Sequence, residues 1–120
     1  MQIYENSREF TKVEIYLMTS SPDVISLKNV DDETSIPVDG YILFKDKNQN
    51  GEETDILSLI TPDKKVYACQ SQTFKCSFLE IFELMDGEAF SIIKKSGVTK
   101  AGRDFINCVL DVNSLNVIEN

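Results

Sequence analysis

The chain has 120 residues, of which 42% are hydrophobic and 27% charged, and its net charge at pH 7 is −8. This length and composition predict one folded globular domain with a single core and exclude a disordered chain. The chain has no histidine, and its three cysteines form no CxxC pair, which removes the commonest general base, the commonest metal ligand and a disulfide or zinc framework. We therefore expect a protein that is not an enzyme and that binds neither a metal nor a cofactor.

The sequence contains no recognisable membrane segment or targeting signal. No apolar run approaches the roughly 18–20 residues that cross a bilayer, and the N-terminus, MQIYENSREFTK, lacks the apolar stretch of a signal peptide. We expect a cytoplasmic protein with no membrane partner. Residues 1–11 are expected to be a flexible arm, residues 12–112 one domain, and residues 113–120 a short polar tail.

The first half of the chain predicts strands. In KVEIYLM, Lys12–Met18, apolar and polar residues alternate, which is the pattern of a half-buried strand. Val24–Val30 returns to extended character after a turn, and the acidic residues 31–33 are expected to form a solvated loop. The further predicted strands are Ile36–Lys47, Asp55–Thr61 and Lys65–Cys69, the first two joined by a hairpin turn at Asn48–Gly51.

The second half predicts one helix followed by a hairpin. In SQTFKCSFLEIFELMDG, residues 71–87, the apolar residues of one helical stripe are Phe74, Phe78, Ile81, Phe82 and Met85. Ser71 or Thr73 suits the N-cap of this helix, and Gly87 suits the position after its end. The two predicted strands that follow, joined by the loop SGVTKAG, are Phe90–Lys95 and Arg103–Asp111.

This order of elements predicts a mainly β fold. One helix cannot cover both faces of so long a sheet, so the economical arrangement closes the strands into a barrel and uses the helix to cover an open end. We predict an OB-fold, which is a five-stranded, partly open Greek-key barrel, with one helix between strands 3 and 4. An open α+β sheet with one covering helix is the alternative.

Aromatic and basic residues share the outward faces of the predicted strands. The aromatic residues are Tyr16, Tyr41, Tyr67 and Phe105, and the basic residues on the strands are Lys45, Lys47 and Arg103. The hairpin adds Lys94, Lys95 and Lys100, so residues 92–105 hold four of the twelve basic residues and one acid. Rings that stack on bases and cations that neutralise phosphates suit single-stranded nucleic acid. Alternatively, the rings pack against the N-terminal arm or a partner subunit, and the lysines provide solubility.

Two runs of the sequence resemble a known family. DILSLITPDKKVYACQSQTFKCSFLEIFELM and FSIIKKSGVTKAGRDFINCVLDV are similar to the small single-stranded-DNA-binding proteins of protein-primed phages of Gram-positive bacteria, which have relatives on conjugative plasmids. The shared features are a strand, a turn ending in a Tyr, a Ser-led helix and a glycine-containing hairpin, and the resemblance covers roughly residues 36–112. The residues that match the family's features by position are Tyr67, Lys94, Lys95, Lys100 and Arg103.

The resemblance implies an OB-fold protein that coats single-stranded DNA without sequence preference during replication or transfer of a phage or mobile element, in the cytoplasm of a bacterial host. RNA offers the same bases and phosphates, so the sequence does not separate the two ligands. Residues 1–11 can provide self-association along DNA by lying on a neighbouring copy. The C-terminus, NSLNVIEN, departs from the acidic, Phe-tipped tail of the bacterial housekeeping proteins. The alternative function is a protein–protein adaptor of a phage or mobile element that uses the same aromatic face.

Overall fold

The computed structural model describes residues 1–115, with side chains described to residue 113. The elements of the described chain are β1 (Gln2–Asn6), α1 (Lys12–Thr19), β2 (Ile25–Ser26), β3 (Ser35–Val38), β4 (Gly40–Lys47), β5 (Glu53–Ile60), β6 (Val66–Cys69), α2 (Gln72–Met85), β7 (Phe90–Val98) and β8 (Asp104–Leu110). Short 3-10 helices occupy Leu27–Asn29 and Val112–Leu115. The expected mainly β class is confirmed, but the strand count exceeds the five of the predicted barrel.

The described strands form two sheets, and the chain divides into two compact units. The first unit, Met1–Asn29 and Asp39–Gln70, holds a five-stranded sheet in the order β1-β4-β5-β6-β2. The second unit, Val30–Val38 and the chain from Ser71 onward, holds a three-stranded sheet in the order β3-β7-β8. Strand pairs are antiparallel, except that β2 runs parallel to β6.

In the first unit, α1 packs on one face of the sheet. Met18 of α1 is almost completely buried, and the sheet residues that cluster with it are Ile42 and Phe44 of β4, Ile60 of β5 and Val66 of β6. Ile42 and Phe44 reach the same face because side chains two residues apart in a strand point the same way. The alternation along β4 thus supplies the apolar surface that anchors the helix.

The segment Lys12–Met18 is helical, and the prediction of a strand there is wrong. A capping box starts the helix, because the Thr11 hydroxyl accepts the Glu14 N–H at 3.1 Å and the Glu14 carboxylate accepts the Thr11 N–H at 2.9 Å. Thr-x-x-Glu is the sequence signature of this motif. Hydrogen bonds from Lys64, the Thr11 N–H and Arg8 also lower the pKa of Glu14 to about 2. These local contacts outweigh the alternating pattern that suggested a strand.

Other segments also differ from their predicted form. Residues 1–11, expected to be a flexible arm, contain β1, which pairs with β4. The predicted strand Ile36–Lys47 is two strands separated by Asp39, and β3 pairs with β7 whereas β4 pairs with β5. Val24–Val30 holds the two-residue β2 followed by a 3-10 helix. The period-2 pattern continues from β3 into β4 although the two strands pair with different strands. The sequence therefore did not reveal where one strand ends and the next begins.

In the second unit, the predicted helix is confirmed as α2. Ser71 caps its start, with the side-chain hydroxyl accepting the Phe74 N–H at 3.1 Å. At the other end, Asp86 takes a left-handed conformation with φ of 46°, and Gly87 follows with φ of 91°. A left-handed residue just past the last turn is a common way to end a helix. The helix is therefore specified locally at both ends, as the sequence indicated.

The phenylalanines of α2 form the core of the second unit. Phe74 and Phe78 are fully buried. The Phe78 ring centroid lies 6.0 Å from that of Phe82 and 6.4 Å from that of Phe90 on β7. Such spacings are typical of aromatic pairs, which add to the stabilisation from buried area. Of the predicted stripe, Phe74 and Phe78 are thus core residues, and Ile81, Phe82 and Met85 are half-buried.

The predicted hairpin is confirmed, with a longer first strand and a shorter second strand than expected. β7 and β8 pair from Ile92 with Leu110 to Val98 with Asp104. The connection is therefore shorter than the predicted loop SGVTKAG. The 3-10 helix Val112–Leu115 includes the first three residues of the predicted tail, residues 113–120, and residues 116–120 lie outside the described residues. Within residues 1–115, no helix combines the length and the apolar character needed to cross a bilayer.

Candidate nucleic-acid interface

Tyr41 lies on β4, on the face opposite to the α1 cluster, and is buried. Its side chain is 6% exposed, and its hydroxyl donates to the Glu5 carboxylate at 2.5 Å. Burial, followed by this hydrogen bond, raises the pKa of Tyr41. Leu43 on the same face and Leu59 opposite Tyr41 are buried as well. Tyr41 is therefore a core residue in this conformation rather than the exposed ring that stacking requires.

The other predicted residues of the sheet in the first unit are partly accessible. The Lys45 ammonium lies 3.9 Å from the Glu53 carboxylate and 5.9 Å from the centroid of the Tyr4 ring. Lys47 is exposed at the end of β4, and Tyr67 is half-buried on β6 between β5 and β2. These residues do not form a row of stacked rings, since the neighbouring Tyr41 is covered.

Tyr16 lies on α1, so it does not extend a row of aromatic residues across strands. It is 52% exposed, and Val13 is 67% exposed. Residues three apart lie on the same side of a helix, so the two side chains form a small exposed apolar patch. The patch belongs to the helix surface and not to the predicted aromatic face.

A shallow depression of about 540 Å³ adjoins Tyr4 of β1 and is lined by Gln2, Tyr4, Lys45, Glu53 and Asp55. The Tyr4 hydroxyl donates to Asp55 Oδ1 at 3.1 Å, and the ring is 46% exposed. Two carboxylates beside one ammonium make this depression unfavourable for a phosphate. Sequence reasoning missed Tyr4 because it treated residues 1–11 as an arm, although QIYEN has the residue types of a short strand.

Lys94 of β7 is buried and paired. Its side chain is 5% exposed, with Nζ 3.2 Å from Asp32 Oδ1. The same Nζ donates to the Val30 carbonyl oxygen at 2.7 Å. A buried ammonium needs such partners because desolvation without them is costly. Lys94 therefore fastens residues 30–32 to β7 and does not face solvent as a phosphate contact.

Lys95 and Ser96 hold the rest of the acidic loop. The Lys95 Nζ donates to both Glu33 carboxylate oxygens, at 2.7 and 2.9 Å. The Ser96 hydroxyl lies 2.6 and 2.7 Å from the two carboxylate oxygens of Asp32. Hydrogen bonds from Ser96 and then Lys94 lower the pKa of Asp32. The loop expected to be merely solvated is therefore bound to β7 through two of its side chains.

The outward face of β7 and β8 gathers a ring, a cation and an amide. Lys95 pairs with Asn107 and Gly97 with Phe105, so these side chains share one face. A Cβ atom on Gly97 would stand 2.7 Å from Phe105 Cζ, which means that the half-buried ring lies over the glycine. The hairpin face comprises Ile93, Lys95, Gly97, Phe105, Asn107 and Val109.

Lys100 and Arg103 lie at the tip of the hairpin and are exposed. The turn is closed by the Thr99 N–H donating to the Arg103 carbonyl at 2.9 Å and by the Gly102 N–H donating to the Thr99 carbonyl at 2.9 Å. Gly102 has φ of 83°, a conformation that glycine adopts readily. Within residues 1–115, neither Lys100 nor Arg103 forms an ion pair. Both cations are therefore accessible to an external anion.

The structure thus brings together one subset of the predicted site residues. That subset, on and beside the hairpin face, is Lys95, Lys100, Arg103 and Phe105. Tyr41 and Lys94 are buried, Tyr16 lies on α1, and the remaining residues belong to the sheet of the first unit. Asn107 was not selected from the sequence, although its spacing of two residues from Phe105 indicates the same face.

Comparison with protein-family models, curated proteins and solved structures gives no significant match to this chain. In the described part of the chain, no group of three or more His, Cys, Asp or Glu side chains could hold a metal ion. Function is therefore inferred from the chemistry of the exposed surface, and above all from the hairpin face with its two cations at the tip.

Proposed function

We propose that the protein binds single-stranded DNA without sequence preference, and that it coats and protects the strand during replication or transfer of a phage or mobile element. The proposed contact surface is the hairpin face together with Lys100 and Arg103. In this scheme the Phe105 ring stacks on a base, and the cations neutralise neighbouring phosphates. Stacking tolerates any base and charge follows the backbone, which together give affinity without sequence readout.

The contact between Phe105 and Gly97 is the observation that carries the proposal. The ring is supported from below by the strand, because glycine offers no side chain at that position. A supported ring loses little conformational freedom when a base stacks on it. Lys95 is diagonal to Phe105 across the two strands, a relation that places residues about 7–8 Å apart. One nucleotide strand can therefore contact the ring and the cation together.

The charge distribution supports single strands over duplex DNA. The chain has a net charge of −8, whereas Lys100 and Arg103 at the hairpin tip are exposed. Duplex DNA presents one charge per roughly 1.7 Å of its axis and is repelled by an acidic surface. A flexible single strand can follow one short cationic region and keep its remaining phosphates in solvent. RNA shares these properties, so the proposal covers it as a second ligand.

We propose an OB-fold as the fold class that accompanies this function. The segment Ser35–Lys47 pairs with β7 through β3 and with β5 through β4, and β5 pairs with β6. The helix α2 then lies between β6 and the β7–β8 hairpin in the chain. This order supports an OB-fold whose five strands are residues 35–47 (β3 with β4), β5, β6, β7 and β8. The elements β1, β2 and α1 are then additions to that fold. OB-folds bind oligonucleotides partly through the loop between their last two strands, and Lys100 and Arg103 occupy the corresponding loop.

The proposed contact set is smaller than the one predicted from the sequence. We leave out Tyr41 and Lys94 because they are 6% and 4% exposed. Lys45, Lys47 and Tyr67 belong to the first unit and form a separate group for mutation. Self-association through residues 1–11 also stays a proposal, and its test must avoid deleting β1. Changing the exposed Tyr4 to Ser and comparing the cooperativity of binding isotherms tests it while the strand is kept.

The first experiment is fluorescence anisotropy of a labelled single-stranded oligonucleotide of about 16 nucleotides, the upper end of OB-fold site sizes. The matching duplex and two salt concentrations, about 50 and 200 mM, complete the design. We expect salt-weakened binding of the single strand and much weaker binding of the duplex. Equal affinity for both forms, or no binding at low salt, would contradict the proposal.

Charge reversal separates DNA binding from the alternative function. Lys100→Glu and Arg103→Glu together should weaken binding and flatten its salt dependence if phosphates contact the hairpin tip. The matched control is Lys28→Glu with Lys75→Glu, which makes the same change in net charge at residues outside the hairpin. If both pairs lower affinity equally, the effect is one of overall charge and the hairpin is not the interface.

A protein–protein adaptor is the second candidate, and exposed apolar residues on the hairpin favour it. Val109 on the hairpin face is 42% exposed, and Val98 beside the turn is 64% exposed. Apolar side chains of this kind contribute to protein interfaces more than to phosphate contacts. An adaptor predicts that Val98→Ser with Val109→Ser abolishes capture of a host or element-encoded protein and leaves oligonucleotide affinity unchanged.

A further inference from the structure

Lys95, the cation on the hairpin face, is paired with a carboxylate of the protein, that of Glu33. The Lys95 Nζ lies 2.7 and 2.9 Å from the two oxygens of Glu33, distances typical of charge-assisted hydrogen bonds. Lys95 points to the same face as Phe105. The side chains of Lys95 and Glu33 are 40% and 66% exposed, so this pair sits in solvent and is weak.

The backbone places Glu33 beside Lys95 by extending the β3–β7 ladder. The Glu33 N–H donates to the Lys94 carbonyl at 2.9 Å, and the Lys94 N–H donates to the Thr34 carbonyl at 3.1 Å. Glu33 has φ of 70°, a left-handed conformation that costs a non-glycine residue energy. This strain persists because the flanking hydrogen bonds and the side-chain contact hold it.

Asp32 anchors the same loop on the opposite face of β7. Its carboxylate accepts the Ser96 hydroxyl and lies 3.2 Å from the buried Lys94 ammonium. Lys94 and Ser96 are two residues apart and therefore share a face, whereas Lys95 points the other way. The loop is thus held by two different contacts. Asp32 pairs with the buried Lys94 ammonium, whereas the exposed Glu33 carboxylate can be replaced at Lys95 with little loss of stability.

We propose that Glu33 is a built-in competitor for the phosphate subsite at Lys95. In the free protein its carboxylate holds Lys95 on the hairpin face, and a phosphate of the bound strand replaces it while Asp32 keeps the loop attached. This inference rests on the proposed function, because the displacing ligand is a phosphodiester of single-stranded nucleic acid. Glu33 thereby lowers the affinity of the protein for short strands that bind weakly. Its charge also repels a phosphate that approaches Lys95 without displacing the carboxylate.

The test compares Glu33→Gln with Asp31→Asn in the anisotropy titration. Both changes remove one negative charge from the same loop, and within residues 1–115 the Asp31 carboxylate forms no ion pair. We expect Glu33→Gln to bind a single-stranded oligonucleotide about two- to fivefold more tightly than Asp31→Asn at low salt, which is the range for loss of one exposed ion pair. The difference should shrink as salt rises.

A second comparison tests whether the effect acts through Lys95. In the Lys95→Gln background, Glu33→Gln and Asp31→Asn should have equal affinities, because the pair that separates them no longer exists. Oligonucleotide binding by the unmodified protein with no difference between the two loop variants would overturn the competitor role and leave the proposed function standing. If neither the unmodified protein nor either variant binds, the competitor role and the proposed function are both overturned.

Discussion

The strands β4 and β8 place their aromatic residues in opposite environments. Tyr41 of β4 is 6% exposed and bonded to Glu5, whereas Phe105 of β8 is half-buried and lies over Gly97. β4 pairs on both edges, with β1 and β5, while β8 is one of the two edge strands of its sheet. The period of a strand therefore identifies residues that share a face, but by itself it does not reveal whether that face is covered.

The largest expected effect is on folding and comes from Tyr41. Tyr41→Ala should lower the free energy of unfolding by about 3–5 kcal/mol, the usual range for truncating a buried aromatic side chain. Tyr41→Phe removes only the hydroxyl bonded to Glu5 and should cost about 1 kcal/mol. Urea unfolding measures both. A stable Tyr41→Ala variant with impaired DNA binding would mean that Tyr41 is a contact residue like Phe105.

A pH-dependent effect is expected at Glu14 in the first unit. Its pKa is lowered from an ordinary value of 4.5 to about 2, so the folded state favours the charged carboxylate. The resulting stabilisation is present above pH 4.5 and is lost as the pH falls towards 2. In Glu14→Gln this contribution is absent, so stability should fall less between those pH values. Parallel acid-unfolding curves for the two proteins would contradict the assignment.

For Phe105 we expect the effect on DNA binding rather than on folding, which is the reverse of Tyr41. Phe105→Ala should weaken single-stranded DNA binding by about 1–3 kcal/mol, or roughly 5- to 150-fold, because one stacked base is lost. Phe105→Tyr keeps the ring and should retain most of the affinity. Urea unfolding of both variants checks that the hairpin is intact. Normal affinity in a folded Phe105→Ala protein would remove this ring from the interface.

The smallest expected effect is on the salt dependence of DNA binding. It should distinguish the exposed cations from the buried one. Lys100→Gln and Arg103→Gln should each reduce the slope of log affinity against log salt by about 0.7, the value per phosphate contact of a single strand. Lys94→Met should leave the slope unchanged, because that ammonium is occupied by Val30 and Asp32. Urea unfolding must show that Lys94→Met is folded, because removing one member of a buried pair destabilises a protein. An equal slope change for all three would contradict this distinction.

The sequence predicted the elements whose signals are local. Ser71, the phenylalanine stripe and Gly87 specify α2 with its ends, and the segments around Gly97 and Gly102 specify the β7–β8 hairpin. At Thr11–Glu14 a local helix signal is present as well, but the alternation of the following residues predicts a strand. Capping contacts fix several backbone groups at once, so they should take precedence over a short alternating run.

The candidate site could be predicted only in part. The cations at the hairpin tip follow from composition, since a turn between two strands is exposed. Burial of Lys94 and the pairing of Lys95 with Glu33 could not be read from the sequence, because these contacts join residues more than 60 positions apart. Such contacts depend on strand register, which local patterns do not encode between distant segments.

Local signals in the sequence were therefore sufficient to predict the mainly β class, the helix α2, the hairpin and the concentration of basic residues on it. The burial of Tyr41, the accessibility of Phe105 and the pairing of two hairpin lysines with an acidic loop emerge only from the folded chain. This division arises because periodicity and turn chemistry act over a few neighbouring residues. Burial and ion pairing instead depend on which distant segments the fold places side by side.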